Sequence, residues 1–204
     1  MSKYDKKFEN IQIREELISN YKSANIGLEK ESLRINSSGI SQEIHPKPLG
    51  SSLTNQFLTT DFSEALLEFI TPPYDIRGNE LVFLEDLHHF SHLNIEDEKL
   101  WPFSIAPNTK DLDIAIAKYG NSNLGKFKEL YRSGLAKRHG KAMQIIAGVH
   151  FNYSFSNSYI ERYKEIENKI SNTDEVYLKT IRNIYRNNWL LLLLFGSSPI
   201  VSNN

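Results

Sequence analysis

The sequence contains no cysteine among its 204 residues. Disulfide frameworks, zinc fingers with cysteine ligands and thiol nucleophiles are therefore excluded. A chain without cysteine fits the reducing interior of a cell, and we expect a cytoplasmic protein.

The sequence also lacks an excess of either charge. Its 24 lysines and arginines oppose 25 aspartates and glutamates, which gives a formal net charge of -1. Tight binding to nucleic acid or to an anionic membrane needs clustered, excess positive charge. We therefore expect no nucleic-acid partner and no membrane partner, and small molecules are the expected ligands.

Long hydrophobic runs are missing as well. The charged residues 1–7 lead into no apolar segment, so we expect no cleaved signal peptide. The longest apolar run, residues 189–195, is too short to cross a bilayer. We predict that this run is buried within a helix.

Two glutamates stand two residues apart in a segment with the pattern of a strand. Glu29 and Glu31 would project from the same strand face, roughly 6 to 7 Å apart. Carboxylates this close repel each other and raise each other's pKa unless a cation lies between them. The alternative is a strand face exposed to water, which is the commoner explanation for an isolated Glu-x-Glu pattern.

A third glutamate lies inside an apolar segment. Glu68 interrupts the apolar residues 66–70, and the prolines at 72–73 end the segment. A buried carboxylate is costly unless it is paired, protonated or bound to metal, although a strand with one wet face would expose it to water. Beside Glu29 and Glu31, it is a candidate third metal ligand.

Two segments imitate known sites. His88 and His92 have the spacing of a helical metal pair, but His89 stands where the metalloprotease motif needs glutamate, so surface histidines are the better interpretation. Residues 120–127 match a phosphate-binding P-loop through its lysine, but Phe127 replaces the hydroxyl that binds magnesium. We predict neither a catalytic zinc nor a P-loop.

Hydrophobic periodicity and capping residues predict the helices. They cover residues 11–24, 79–94, 124–139, 159–170 and 175–195. In the second helix, Leu81, Leu84 and Leu87 are expected to face the core. The last helix can be capped by Asp174 and is expected to end at Gly196.

Residues 144–155 alternate apolar and polar side chains, which predicts a strand. Val149 and Phe151 share one face, while His150 and Asn152 share the other. A single strand histidine is more often structural than a metal ligand, so His150 needs independent support.

Six motifs follow one another along the chain. They are GLEKESLR at 27–34, TTDFSEALLE at 59–68, WP at 101–102, YGNSN at 119–123, LYRSGL at 130–135 and GVHFNY at 148–153. Together they resemble the glutamate-cysteine ligases of the proteobacterial type, including the ligase half of bifunctional glutathione synthases. Because members of this family run to several hundred residues, the resemblance identifies residues 1–204 as the amino-terminal part of a ligase catalytic domain.

The resemblance implies an α+β fold like that of glutamine synthetase, in which a curved antiparallel sheet with flanking helices forms a funnel. It implies an ATP-dependent ligase that joins the γ-carboxyl of glutamate to the amine of cysteine through a γ-glutamyl phosphate, the first step of glutathione biosynthesis. Glutamate, cysteine and ATP would be the small-molecule partners, and Mg²⁺ or Mn²⁺ the metal cofactor.

Site residues follow from the same resemblance, position by position. The metal ligands would be Glu29, Glu31, Asp61, Glu68 and His150. Tyr131 and Arg132 would belong to the substrate-binding wall, with Arg132 as the catalytic cation that pairs with a substrate carboxylate or the transferred phosphoryl group. Gln144 and Asn152 are further substrate-binding candidates.

The departure from the family is length, because further metal, nucleotide and substrate groups are expected in a missing carboxyl-terminal part. An incomplete sheet is expected to leave unpaired edges and uncovered apolar surface. Three alternatives stay open: an enzyme that acts alone or with a complementary carboxyl-terminal segment, a truncated non-catalytic Mg-ATP-binding fragment, and a related ligase with another acceptor amine.

Overall fold

The computed structural model describes residues 15–16, 24–75, 78–107, 114–167 and 172–196. The predicted helix over residues 11–24 lies almost entirely outside these ranges. Contacts divide the chain into two compact units, which we call the sheet unit (Asn25–Ser154) and the helical unit (Met1–Ala24 with Phe155–Asn204). The sheet unit contains every candidate site residue.

The sheet unit combines one antiparallel sheet with two α-helices in its described residues. The strands are β1 Asn25–Asn36, β2 Gly39–Ile40, β3 Leu58–Thr60, β4 Leu66–Ile70, β5 Lys99–Leu100 and β6 Val149–Ser154. The helices are α1 Asn79–Asn94 and α2 Asn123–His139, with short 3-10 turns at Lys47–Leu49 and Ala142–Ile145. The predicted α+β class with an antiparallel sheet and flanking helices is confirmed.

The 12-residue strand β1 organises the sheet. Its first half pairs with β6, its middle with β4, and its end with β2 and β5, while β3 adds to the far side of β4. A two-residue turn joins β1 to β2, and Gly39 follows it with a φ of 111°, a conformation that favours glycine. One strand therefore contacts three segments that are distant in sequence.

Two buried clusters hold the sheet unit together. Leu33 and Leu66, which lie opposite each other in the β1–β4 pair, belong to a cluster that also contains Phe62 and Ile145. The second cluster lies around Phe69 and Leu67 of β4 and receives side chains of α1. Since both Leu66 and Leu67 are fully buried, β4 is covered on both faces at this end.

Helix α1 has the predicted bounds, but its buried stripe is narrower than expected. Leu84 and Leu87 pack against the second cluster, as predicted, whereas Leu81 is exposed.

The predicted strand over 144–155 is shorter than expected. Ala142–Ile145 forms a 3-10 turn that buries Ile145, and the strand begins only at Val149.

The helical unit contains helices α3 Asn157–Ile166 and α4 Thr173–Phe195 in its described residues. The cap of α4 is Asn172, whose side chain accepts from the Glu175 backbone N–H, and not the predicted Asp174. Gly196 follows the last residue of α4, as predicted. No described helix combines the length and the hydropathy needed to span a bilayer.

The apolar end of α4 corrects a prediction. Residues 189–195 are exposed rather than buried, with 62% of Trp189 and 78% of Phe195 accessible. The described part of the helical unit buries the opposite end of α4, at Val176, and does not cover residues 189–195. Exposed apolar surface of this extent is typical of a site that another surface covers.

Candidate functional site

The strand register gathers four predicted metal ligands on one face of the sheet. Glu31 lies opposite Glu68 in the β1–β4 pair, and Glu29 lies opposite His150 in the β1–β6 pair. Residues opposite each other in antiparallel strands project to the same face, as do residues two apart in one strand. The four side chains therefore share a face, which we call the carboxylate face.

Asp61 reaches this face from the segment that follows β3. Thr59 of β3 lies opposite Glu68, and Asp61 stands two residues further along. The Asp61 backbone N–H donates to the Leu66 carbonyl at 2.9 Å, which closes the turn between β3 and β4. Burial is the largest cause of the raised pKa values of Glu31 and Glu68, and the negative charge of Asp61 adds to both.

Glu68 carries the largest pKa change among these acids. The pKa of Glu68 is raised to about 7, mostly by burial and further by the charges of Asp61, Glu31 and Glu29, against a smaller opposing effect of His150. Its side chain makes no hydrogen bond within the described residues. A carboxylate in this position favours either a proton or a cation.

Hydrogen bonds hold the other two glutamates. Glu29 accepts from the His150 ring Nδ1 at 3.0 Å and from the Asn152 amide at 2.9 Å. Glu31 accepts from the Gly148 backbone N–H at 2.8 Å. Burial raises the pKa of Glu31, while the Gly148 hydrogen bond opposes this shift. The bond with Glu29 raises the pKa of His150.

The donor atoms are not gathered around one point. Among the described residues, no group of three or more histidine, aspartate or glutamate side chains is arranged to hold a metal ion. Several of the donor oxygens instead accept hydrogen bonds, from Asn152 and His150 on Glu29 and from Arg132 on Asp61. The residues fit a hard divalent cation by their chemistry and their mutual repulsion, but a bound ion needs a change of side-chain conformations.

Arg132 is held against Asp61. Its Nε donates to the Asp61 carbonyl at 2.5 Å, and its Nη2 lies 3.2 Å from the Asp61 Oδ1. Its guanidinium also lies over the Tyr119 ring, 4.7 Å from the centroid. The predicted catalytic cation therefore borders the carboxylate face, with its guanidinium mostly buried.

The remaining predicted substrate-binding residues differ in position. Asn152 lies on the carboxylate face and donates to Glu29. Tyr131 precedes Arg132 on α2 and is 55% exposed. Gln144 lies in the 3-10 turn before β6, and its side chain makes no hydrogen bond to the carboxylate face within the described chain. The structure thus gathers Asn152 but not Gln144 with the acids.

Sequence reasoning missed two residues, Tyr119 and Glu64, whose side chains bond to main-chain groups near the carboxylate face. Tyr119 donates its hydroxyl to the Thr60 and Asp61 carbonyls. Glu64 accepts from two backbone N–H groups, those of His45 and Lys118. The only sequence signal for Tyr119 was its place in the YGNSN motif, since its contacts depend on tertiary structure.

The two imitations of known sites have structural roles. His88 stacks on Phe69 with ring centroids 4.2 Å apart, and burial lowers its pKa to about 4. In the P-loop-like segment, the Ser122 side chain accepts from the Gly125 backbone N–H and caps α2.

Two cavities of the sheet unit differ in their relation to the acids. A cavity of about 260 Å³ borders Asn152, at the edge of the carboxylate face. Another, of about 550 Å³, surrounds Arg34 and Glu98, and none of the predicted metal ligands lines it. Arg34 there pairs with Glu98 and donates to the carbonyls of Glu43 and Glu64, which stabilises the fold.

Known proteins resemble this chain in sequence. A family model described as glutamate-cysteine ligase matches residues 11–204. The chain is 48% identical over 181 residues to the glutamate-cysteine ligase of Buchnera aphidicola subsp. Acyrthosiphon pisum. The aligned part covers 86% of this chain and 35% of that relative. It is 45% identical over 178 residues to the glutamate-cysteine ligase of Sodalis glossinidius, covering 85% of this chain and 34% of that relative.

Solved structures agree with the sequence relatives. The glutamate-cysteine ligase of Francisella tularensis in complex with AMP has a TM-score of 0.82 at 39% identity, covering 89% of this chain and 36% of that one. A bifunctional glutathione synthetase from Pasteurella multocida has a TM-score of 0.83 at 28% identity, covering 93% of this chain and 25% of that one. The chain spans about a third of the length of the curated relatives it matches. The motifs, the family model and the relatives agree, and the chain belongs to the glutamate-cysteine ligase family.

Proposed function

We propose that this chain contributes to an ATP-dependent ligase that joins the γ-carboxyl of glutamate to the amine of cysteine, the first step of glutathione biosynthesis. The observation that carries the proposal is the carboxylate face, where Glu29, Glu31 and Glu68 lie together with Asp61 and His150. Family membership supports the reaction, and the AMP complex of the Francisella relative supports a nucleotide substrate.

The chemistry needs charge neutralisation more than a protein nucleophile. A carboxylate is a poor acyl donor, so the γ-carboxylate of glutamate first attacks the terminal phosphorus of ATP, and ADP leaves. The amine of cysteine then attacks the resulting acyl phosphate at its carbonyl carbon, and inorganic phosphate leaves. Oxygen-rich sites with divalent cations suit such phosphoryl transfer.

Mg²⁺ or Mn²⁺ would be held by Glu29, Glu31, Asp61, Glu68 and His150. The ion would neutralise the phosphate oxygens of the nucleotide. Hard carboxylate oxygens with one imidazole suit either metal. Burial and the neighbouring carboxylates raise the pKa of Glu68, and a cation would offset both effects, so the arrangements of these side chains with and without the ion are expected to differ.

Arg132, Tyr131, Asn152 and Gln144 would form the substrate-binding wall. Arg132 is the catalytic candidate, since a guanidinium pairs with a substrate carboxylate or with the transferred phosphoryl group. Among the described residues its Nη2 donates only to Asp61, at 3.2 Å, a long hydrogen bond that a substrate anion could replace. A cytoplasmic location belongs to the same proposal, since a chain without cysteine needs no oxidising compartment.

A complementary carboxyl-terminal segment is the proposed macromolecular partner. The relatives are about three times as long as the matched part, and residues 189–195 present a continuous exposed apolar surface. Covering such a surface removes apolar area from water, which favours association. The whole catalytic domain would then comprise residues 1–204 together with that segment.

A second candidate is a non-catalytic Mg-ATP-binding fragment. The observation that favours it is length, because the match covers only 35% of the Buchnera relative. This candidate predicts nucleotide binding without product formation.

Calorimetric titration of Mg-ATP into the chain tests both candidates. The parent is compared with Glu29→Gln, Glu68→Gln and, as a control, Glu85→Gln, which changes an exposed acid on α1. Binding that is lost in the first two variants and kept in the control is the expected result. If the parent does not bind Mg-ATP, an autonomous nucleotide site in this chain is excluded.

Product analysis separates the enzyme from the fragment. Glutamate, cysteine and Mg-ATP are added to the chain, alone and with the carboxyl-terminal two thirds of a relative supplied as a separate polypeptide. Formation of γ-glutamylcysteine with cysteine-dependent ADP release, abolished by Glu68→Gln, supports the ligase. Mg-ATP binding without product in both mixtures favours the non-catalytic fragment.

A further inference from the structure

Tyr119 links two residues of the proposed site, although no motif assigns it a role there. It stands before α2 and is only 4% exposed. Its hydroxyl donates to the carbonyl of Thr60 and, at 2.7 Å, to that of Asp61. The hydroxyl therefore ties down the main chain at the point where Asp61 leaves β3.

The ring of Tyr119 also contacts two cationic side chains. The Arg132 guanidinium lies 4.7 Å from the ring centroid, and the Lys128 Nζ lies 4.9 Å from it. Cations at these distances from an aromatic face are attracted by the ring electrons. The ring thus supports Arg132 from one side while the Asp61 carbonyl accepts from the Arg132 Nε at 2.5 Å.

The three residues form a closed set of contacts. The Asp61 carbonyl accepts from both Tyr119 and Arg132, and the Asp61 carboxylate faces the Arg132 Nη2 at 3.2 Å. A shift of the Tyr119 hydroxyl would therefore move a proposed metal ligand and a proposed substrate-binding cation together.

We infer that Tyr119 is a positioning residue that sets the Asp61 main chain and the Arg132 guanidinium in one arrangement. This inference rests on the proposed function for its catalytic meaning, because Asp61 and Arg132 matter there as metal ligand and substrate cation. The alternative is that Tyr119 only fills space in the core, in which case the ring without its hydroxyl would serve as well.

The test compares Tyr119→Phe with Tyr74→Phe. The first substitution keeps the ring and removes only the hydroxyl that holds Thr60 and Asp61. The second removes a hydroxyl from a half-buried ring of the same unit, and that hydroxyl makes no hydrogen bond within the described residues. NMR of the Arg132 Nε–H, with its rate of exchange with water, reports the arrangement directly and needs neither metal nor turnover.

We expect Tyr119→Phe to shift the Arg132 Nε–H signal and to speed its exchange by about tenfold, the scale of one lost hydrogen bond. Tyr74→Phe should leave both unchanged. An unchanged Arg132 signal and exchange rate in Tyr119→Phe would overturn the inference, because the hydroxyl would then not position the pair.

Mn²⁺ affinity, measured by calorimetry on the same proteins, tests the link to the proposed site. Tyr119→Phe is expected to weaken Mn²⁺ binding by about tenfold, in the same direction as Asp61→Asn. If the parent binds no Mn²⁺, the metal site proposed for this chain fails, while the Arg132 exchange still decides whether Tyr119 positions Asp61. Unchanged Mn²⁺ affinity in Tyr119→Phe alongside a weakened Asp61→Asn would contradict the inference.

Discussion

Glu64 and Glu68 stand four residues apart, yet they differ in how many hydrogen bonds compensate the negative charge of each carboxylate. Glu64 is 4% exposed, and its two oxygens accept from the backbone N–H groups of His45 and Lys118, each at 2.9 Å. Glu68 is only half-buried, but it makes no side-chain hydrogen bond within the described residues and faces other carboxylates. The more deeply buried acid is the better satisfied one.

This difference separates a structural carboxylate from a proposed metal ligand. Glu64 joins the segments around His45 and Lys118, which are far apart in sequence, and its charge is stabilised by fixed N–H dipoles. Glu68 has no such compensation, so its environment disfavours the charge it would need as a ligand. A carboxylate whose charge lacks compensation is expected at a cation-binding site before the cation binds.

Replacing Glu64 should have the largest effect on stability. Glu64→Ala leaves two buried N–H groups, those of His45 and Lys118, without their acceptor. We expect a loss of about 3 to 5 kcal/mol in the free energy of unfolding, since each unsatisfied buried donor costs on the order of 1 to 3 kcal/mol. Urea unfolding followed by circular dichroism measures it.

Glu64→Gln is the matched control, because the amide keeps one acceptor oxygen at nearly the same shape. Its loss should be clearly smaller than that of Glu64→Ala. No loss of stability in Glu64→Gln, which keeps the shape of the side chain but only one acceptor oxygen, would mean that packing, and not the pair of accepted N–H groups, makes Glu64 important.

Glu68 should give stability an unusual dependence on pH. Its pKa is raised from 4.5 to about 7 in the folded chain, so the folded state binds a proton more tightly than the unfolded state does. Stability should therefore be highest below pH 4.5 as far as this group is concerned, and should fall as pH rises through 7. After a discount for solvent screening at a half-buried group, we expect a loss of about 1 to 2 kcal/mol.

Unfolding measured between pH 5 and 8, with and without Mg²⁺, checks this expectation. Glu68→Gln should remove the loss, whereas Glu85→Gln, an exposed acid on α1, should keep it. Mg²⁺ should restore stability at pH 8 in the parent by binding to the folded state. A parent whose stability does not fall over this range, or falls equally in Glu68→Gln, would contradict the assignment.

The sequence alone was informative where local pattern decides the outcome. Helix α1 has the predicted bounds of residues 79–94. Glu68 was recognisable as unusual because a charge interrupted an apolar run, and the strand pattern placed Glu29 and Glu31 on one face. These inferences need only neighbouring residues.

Other features depend on contacts between distant segments and could not be read from pattern. The satisfied state of Glu64 and the tether made by Tyr119 arise from pairing across the fold. The alternation before Val149 imitated a strand, although Ile145 enters the core from a 3-10 turn. The apolar residues 189–195 predicted burial, but periodicity does not tell whether a covering surface is present.

The smallest effect concerns His150, the imidazole opposite Glu29 on the carboxylate face. The hydrogen bond from its Nδ1 to Glu29 is the main reason that its pKa is raised above 6.5, with smaller effects of the charges on Glu31 and Glu68. Glu29→Gln should therefore return the pKa of His150 towards 6.5, since a neutral amide stabilises the imidazolium less than a carboxylate does. Titration of the His150 ring protons by NMR measures this shift.

Glu31→Gln is the control and should lower the pKa of His150 less, because Glu31 acts on His150 only through its charge. A larger shift in Glu31→Gln than in Glu29→Gln would mean that the summed field of the carboxylates, and not the hydrogen bond, sets the proton affinity of His150.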